Sequence, residues 1–187
     1  MVRFRWNRAR RTAELLLGTA VMVAACDPFE VSDPARFTDD DVDQALDAVA
    51  NGVEGAFQLV LDDYVINTAL LGDEWQHTGT WAQYDELDHG RARYSNMGNV
   101  DGIMNAWLRA RFSAEDALER FTRLAVPDTD AKTIRVKTAA AFVDLYLGEG
   151  WCEAPAEQGG PAVTDAQMYA QAIAKLTEAF NLAQQAS

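Results

Sequence analysis

Apolar residues recur at steps of three and four along most of this chain, the period of one buried face on an α-helix. Val42, Leu46, Val49, Val53, Phe57 and Val60 draw the first such stripe. Thr38 precedes three aspartates there, a predicted N-cap with acids that complement the helix dipole. A second helical stretch is expected over Tyr64–Leu71, stopping at Gly72. The period then lapses over 72–99, a segment dense in Gly, Asp, Asn, His and aromatic residues. It returns with Ile103, Trp107, Ala110, Ala114, Ala117, Phe121 and Leu124, ending before Pro127. Another helix is predicted from near Asp130, burying Ile134, Thr138, Ala141, Phe142 and Leu145 before Gly148. Gly150, Pro155, Gly159, Gly160 and Pro161 mark 149–163 as a loop. Thr164 or Asp165 caps a last helix with Tyr169, Ala172, Ile173, Leu176, Ala179 and Phe180 on one side.

No stretch alternates over five or more residues, so the expected fold class is all-α. Ala110, Ala114, Ala117, Ala139, Ala141, Ala172 and Ala179 are small residues among bulky ones. They allow the close helix approach that antiparallel helix pairs require. Trp107, on a stripe, is expected in the core. The segment from Tyr169 to Ala179 is similar to the first helix of a tetratricopeptide unit.

The first 25 residues carry five arginines and one acid, then the apolar run Leu15–Ala25 before Cys26. A basic start, a short apolar run and small residues at its end predict a secretory signal. Eleven residues are too few to span a bilayer, which needs about 20. The ending Val23-Ala24-Ala25-Cys26 resembles the lipobox of bacterial lipoproteins, which implies acylation of Cys26. The domain organisation expected is a signal peptide over 1–25, an acidic tether over 26–38, and a helical domain over 39–187. Without the leader, eleven basic residues stand against twenty-eight acidic ones, a net charge of −17. Such a surface repels phosphate backbones, and no nucleic-acid partner is expected.

A further order of motifs follows Cys26. After the tether come the turn Gly72-Asp73-Glu74-Trp75 and the helix carrying Trp107, Arg111 and Ala114-Glu115-Asp116-Ala117-Leu118. The Ala139–Gly148 helix, the loop Gly150-Trp151-Cys152-Glu153-Ala154-Pro155 and the Met168–Ala179 helix complete it. This order resembles the N-terminal, tetratricopeptide-like half of the RagB/SusD family of nutrient-binding outer-membrane lipoproteins. Members of that family usually continue for at least as many residues again. The resemblance implies irregular antiparallel helix pairs and anchoring at the outer membrane by the lipid on Cys26. It also implies an oligosaccharide or peptide ligand and a SusC-like TonB-dependent transporter as partner. The alternative reading is a periplasmic helical-repeat adaptor that binds a protein along one face.

No catalytic constellation stands out, and neither enzymatic activity nor a cofactor is expected. His77 and His89 lie in the irregular connection with Asp73, Glu74, Asp85, Glu86 and Asp88, without EF-hand or HExxH spacing. They are read as solvated loop residues, and no metal site is expected. Cys152 is read as a small buried hydrophobe beside Trp151. The candidate ligand residues are Trp75, Trp81 and Tyr84, with Tyr94 in the same connection. Aromatic rings on a polar loop stack on flat ligands, and they also plug the ends of helix pairs. Both readings stand at this point.

Overall fold

Six helices and one short hairpin make up the described part of the chain: α1 (Asp39–Asp43), α2 (Leu46–Leu71), α3 (Ala82–Asp88), α4 (Met97–Arg123), α5 (Ala131–Gly150), β1 (Glu153–Pro155), β2 (Ala162–Thr164) and α6 (Asp165–Ala186). The structure is a computed structural model that describes residues 38–91, 97–157 and 159–187. The expected signal peptide, Cys26, the tether before Thr38, and Tyr94 lie outside the described residues. The fold is all-α, as the periodicity predicts.

The helices α2, α4 and α5 pack on one another, and α6 lies chiefly along α5. Two buried clusters show the directions. Ala50 and Val53 near the start of α2 meet Ala117 and Phe121 near the end of α4, with Val136 and Ala140 from α5. Val60 and Tyr64 meet Ile103 and Trp107, with Val143 and Leu147 from α5 and Met168 from α6. α4 therefore runs antiparallel to α2 and α5, and α6 antiparallel to α5. All seven of the small alanines are buried. Trp107 is fully buried and stacks on Tyr146 at 5.2 Å between ring centroids, with Phe57 and Tyr64 around it. Burial of Tyr64, with the charge of Glu149 nearby, pushes its phenol up to about 12.

Four local expectations change. The first stripe does not lie on a single helix: Asp39–Asp43 is a separate turn, and α2 starts at Leu46 and runs unbroken through Tyr64 to Leu71. Asp43 accepts from Arg123 at 2.8 Å and from Arg120 on α4, and these ion pairs pin α1 against the end of α4. Secondly, α5 does not stop before Gly148 but reaches Gly150, and it buries Val136, Ala140, Val143 and Leu147 with Ala141. The expected Ile134, Thr138, Phe142 and Leu145 are only half-buried, because α2 and α4 pack on the neighbouring face. Gly148 instead admits α6, since a Cβ there would meet Met168 Cβ at 3.0 Å and Asp165 O at 3.3 Å. Thirdly, the 149–163 loop contains an antiparallel pair of three-residue strands, Ala154 opposite Val163. Fourthly, Ile173 and Phe180 follow the period of α6 but are exposed at 65% and 62%, because α6 buries only the stripe of Met168, Ala172 and Ala179.

Helix ends are closed by backbone geometry and by caps. At the end of α4, Val126 N donates to Phe121 O at 2.9 Å and Ala125 N to Thr122 O at 3.1 Å. This is a Schellman closure, with Ala125 at φ +54° where glycine is usual. The end of α2 repeats it: Glu74 N donates to Ala69 O, and Asp73 takes φ +57°. The left-handed residue is Asp73, with Gly72 at φ −87°. Thr164 and Gln167 form a reciprocal capping box at the start of α6.

Candidate functional site

The Schellman turn at Asp73 sends the chain away from α2 and sets Trp75 at its rim, Trp75 N donating to Ala69 O at 3.1 Å. The short helix α3 then carries the next aromatic residues. Its buried Leu87 docks it, and it packs against α2. Trp81 sits at the N-cap of α3, three residues before Tyr84, so both side chains leave the helix on one face. Their rings stack at 5.8 Å between centroids with planes 8° apart. The His77 ring lies 5.9 Å from Tyr84, tilted by 49°. His77 N–H donates to Asp88 Oδ2 at 3.0 Å, tying the loop back to the end of α3.

These rings border a recess of about 460 Å³, lined by Ile66, Leu70, Glu74, Trp75, His77 and Tyr84 among others. Trp75 and Tyr84 form part of its wall, and Trp81 extends the platform from Tyr84 outward. The structure therefore brings Trp75, Trp81 and Tyr84 together. Trp75 is 53% exposed and Trp81 64%, so more than half of each ring remains open to a ligand. Neither indole is buried as an end plug would be, in contrast to the fully buried core indole of Trp107. Flat exposed rings beside polar groups can stack on a planar or sugar-like face while Glu74 and His77 hydrogen-bond at its edge.

The two histidines have different ring partners, Tyr84 for His77 and Asp85 for His89. His89 Nδ1 lies 2.7 Å from Asp85 O, on the last turn of α3. No group of three or more His, Cys, Asp or Glu among the described residues is placed to hold a metal ion. Cys152, expected to be buried beside Trp151, is exposed. It precedes β1, and Ala154 is the hairpin residue that points into the core.

Sequence reasoning passed over the polar network in the middle of the helix stack. Arg111 on α4 and Asp144 on α5 are both buried, and Arg111 Nε lies 3.2 Å from Asp144 Oδ1. Lys175 on α6 holds the other carboxylate oxygen at 2.6 Å. Arg111 also donates to the backbone carbonyl of Pro155 and contacts Met168 Sδ at 3.6 Å. One buried guanidinium thus ties three helices and the hairpin together. The available signal was a charge on an alanine-lined face: Arg111 follows Ala110, and Asp144 follows Ala140 and Ala141 by one helical turn.

No helix among the described residues is long and apolar enough to cross a membrane. No protein-family model, curated protein or solved structure matches this chain.

Proposed function

We propose that this chain is an exported, lipid-anchored binding protein that captures a nutrient for a TonB-dependent outer-membrane transporter. The reading rests on the lipobox-like ending at Cys26 and on the order of motifs that resembles the RagB/SusD family. The observation that carries the binding role is the exposed Trp81–Tyr84 stack, continued by Trp75 around its recess. A ligand with flat faces and polar edges, an oligosaccharide or a short peptide, suits such a platform. The protein's part is to bind and present, with no covalent chemistry.

The test is a titration of the full chain with a panel of oligosaccharides and short peptides, followed by tryptophan fluorescence. Replacing Trp75 or Trp81 by Ala is expected to weaken binding by about 1–3 kcal/mol, the scale of a lost hot-spot contact. Melting temperature should change little, because both rings are more than half exposed. Substitutions that lower the melting temperature and leave binding intact would make the rings structural and remove the basis for this site.

A further inference from the structure

A second recess, of about 310 Å³, opens between α4 and the hairpin loop. Asn105, Leu108, Arg109, Phe112 and Glu115 line it from α4, and Glu157 from the loop after β1. Its volume is at the lower end of small-molecule sites, about 300–1,000 Å³. The two walls are held in register by Arg111, which reaches from α4 to the Pro155 carbonyl while its charge is met by Asp144.

Of the charges that line it, Arg111 is paired with Asp144, whereas Arg109, Glu115 and Glu157 form no ion pair among the described residues. Arg111, Arg120, Arg123, Lys132, Arg135, Lys137 and Lys175 each have a carboxylate oxygen within 4 Å, and of the described cations only Arg91 and Arg109 do not. In a chain with so many acids that is the expected state of a cation. Arg109 has none among the described residues, and neither the Glu115 nor the Glu157 carboxylate receives a hydrogen bond or ion pair there. Asn105 likewise makes no side-chain hydrogen bond among the described residues. Beside these groups, Phe112 is an apolar ring with 46% of its surface exposed. Burial pushes the Glu115 carboxyl up, and the charges of Arg111 and Lys175 pull it back only in part. A cation brought by a ligand would complete that compensation.

An unpaired guanidinium, unpaired carboxyls and an apolar surface around one small recess complement a ligand that carries all three partners. We infer that this recess binds a compact zwitterion, an α-amino acid with an apolar side chain. Its carboxylate pairs with Arg109, its ammonium with Glu157 and Glu115, and its side chain covers Phe112 and Leu108. A neutral polyol supplies a counter-ion to neither kind of charge. The site is separate from the aromatic recess and does not depend on what that recess binds.

The experiment is calorimetric titration of the full chain with leucine, leucinamide, N-acetyl-leucine and glucose. Leucine is expected to saturate, and each blocked derivative to bind about tenfold or more weaker, since each loses one charge-assisted contact. Arg109→Gln should abolish the preference for leucine over leucinamide, and Glu157→Gln should reduce the preference over N-acetyl-leucine several-fold, Glu115 keeping its share of the ammonium. Circular dichroism of both variants should match the parent, because neither side chain has a partner among the described residues. The inference is overturned by no saturation with leucine up to about 10 mM. Equal binding of leucine and its blocked forms, or saturation by glucose instead, overturns it as well.

Discussion

Replacing Asp144 by Asn removes one charge from the centre of the helix stack and leaves its volume almost unchanged. Asp144 is fully buried and Arg111 only 2% exposed. Arg111 keeps its hydrogen bond to the Pro155 carbonyl, but its counter-ion at 3.2 Å is gone. Lys175, whose side chain is 35% exposed, can turn its ammonium toward water, so its share of the loss is small. Arg111 has no such route. Removing one partner of a buried ion pair costs about 3–5 kcal/mol, because an uncompensated charge is left in a poorly polarisable interior. At roughly 2–4 °C per kcal/mol for a chain of this size, the melting temperature should fall by about 6–20 °C. Urea unfolding followed by far-ultraviolet circular dichroism gives the free energy directly. The double variant Arg111→Met, Asp144→Leu takes away both charges and should recover most of the loss, since well-packed apolar replacements of buried pairs are often neutral. Lys175→Met should cost about 1 kcal/mol or less. A loss below about 1 kcal/mol for Asp144→Asn would refute the buried-charge argument.

Ala125→Gly should stabilise the chain by about 1 kcal/mol, because Ala125 holds φ +54° at the end of α4, where a Cβ is disfavoured; chemical unfolding measures it. Phe121→Asp, at a site 1% exposed, should destabilise by several kcal/mol and prevent cooperative melting. Hydrogen bonds from Arg123 and Arg120 hold the Asp43 carboxyl below the ordinary carboxylate value of about 3.9. With the folded value depressed, the contribution of the clasp on α1 is present above that ordinary value and is lost as pH falls through the folded one. Hydrogen exchange of α1 amides should therefore accelerate at acid pH, and Asp43→Asn should show the faster exchange already at neutral pH. Cys26→Ser should abolish labelling by a fatty-acid analogue; equal label on the variant and the parent would refute acylation at Cys26.

The helices were legible because the apolar period marks where they run, and the seven alanines correctly marked buried faces. On α5, however, only Ala141 of the expected stripe is buried, and the core face is Val136, Ala140, Val143 and Leu147. The capping box was half legible: the sequence offered Thr164 or Asp165 as the N-cap, and the reciprocal bonds with Gln167 single out Thr164. What the period does not encode is tertiary. It runs straight through Gln44 and Ala45, while the separation of α1 from α2 goes with ion pairs from Asp43 to residues about 80 positions away. Three-residue strands are too short to alternate, and a partner of Pro155 lies 44 residues back, at Arg111. Ile173 and Phe180 show the opposite limit: a helix can carry more apolar surface than its neighbours cover. For the aromatic connection, sequence identified the residues but left stacking and plugging open. That choice depends on α3, a seven-residue helix whose spacing places Trp81 against Tyr84.

The proposed role turns on partnership at the outer membrane, and affinity purification of the full chain from detergent-solubilised envelopes of its native host measures that directly. The account predicts that a large TonB-dependent barrel co-purifies in comparable amount, and that Trp75→Ala and Trp81→Ala do not displace it, since the proposal assigns those rings to the nutrient. Recovery of a periplasmic protein with no outer-membrane barrel would contradict the account and favour the adaptor reading.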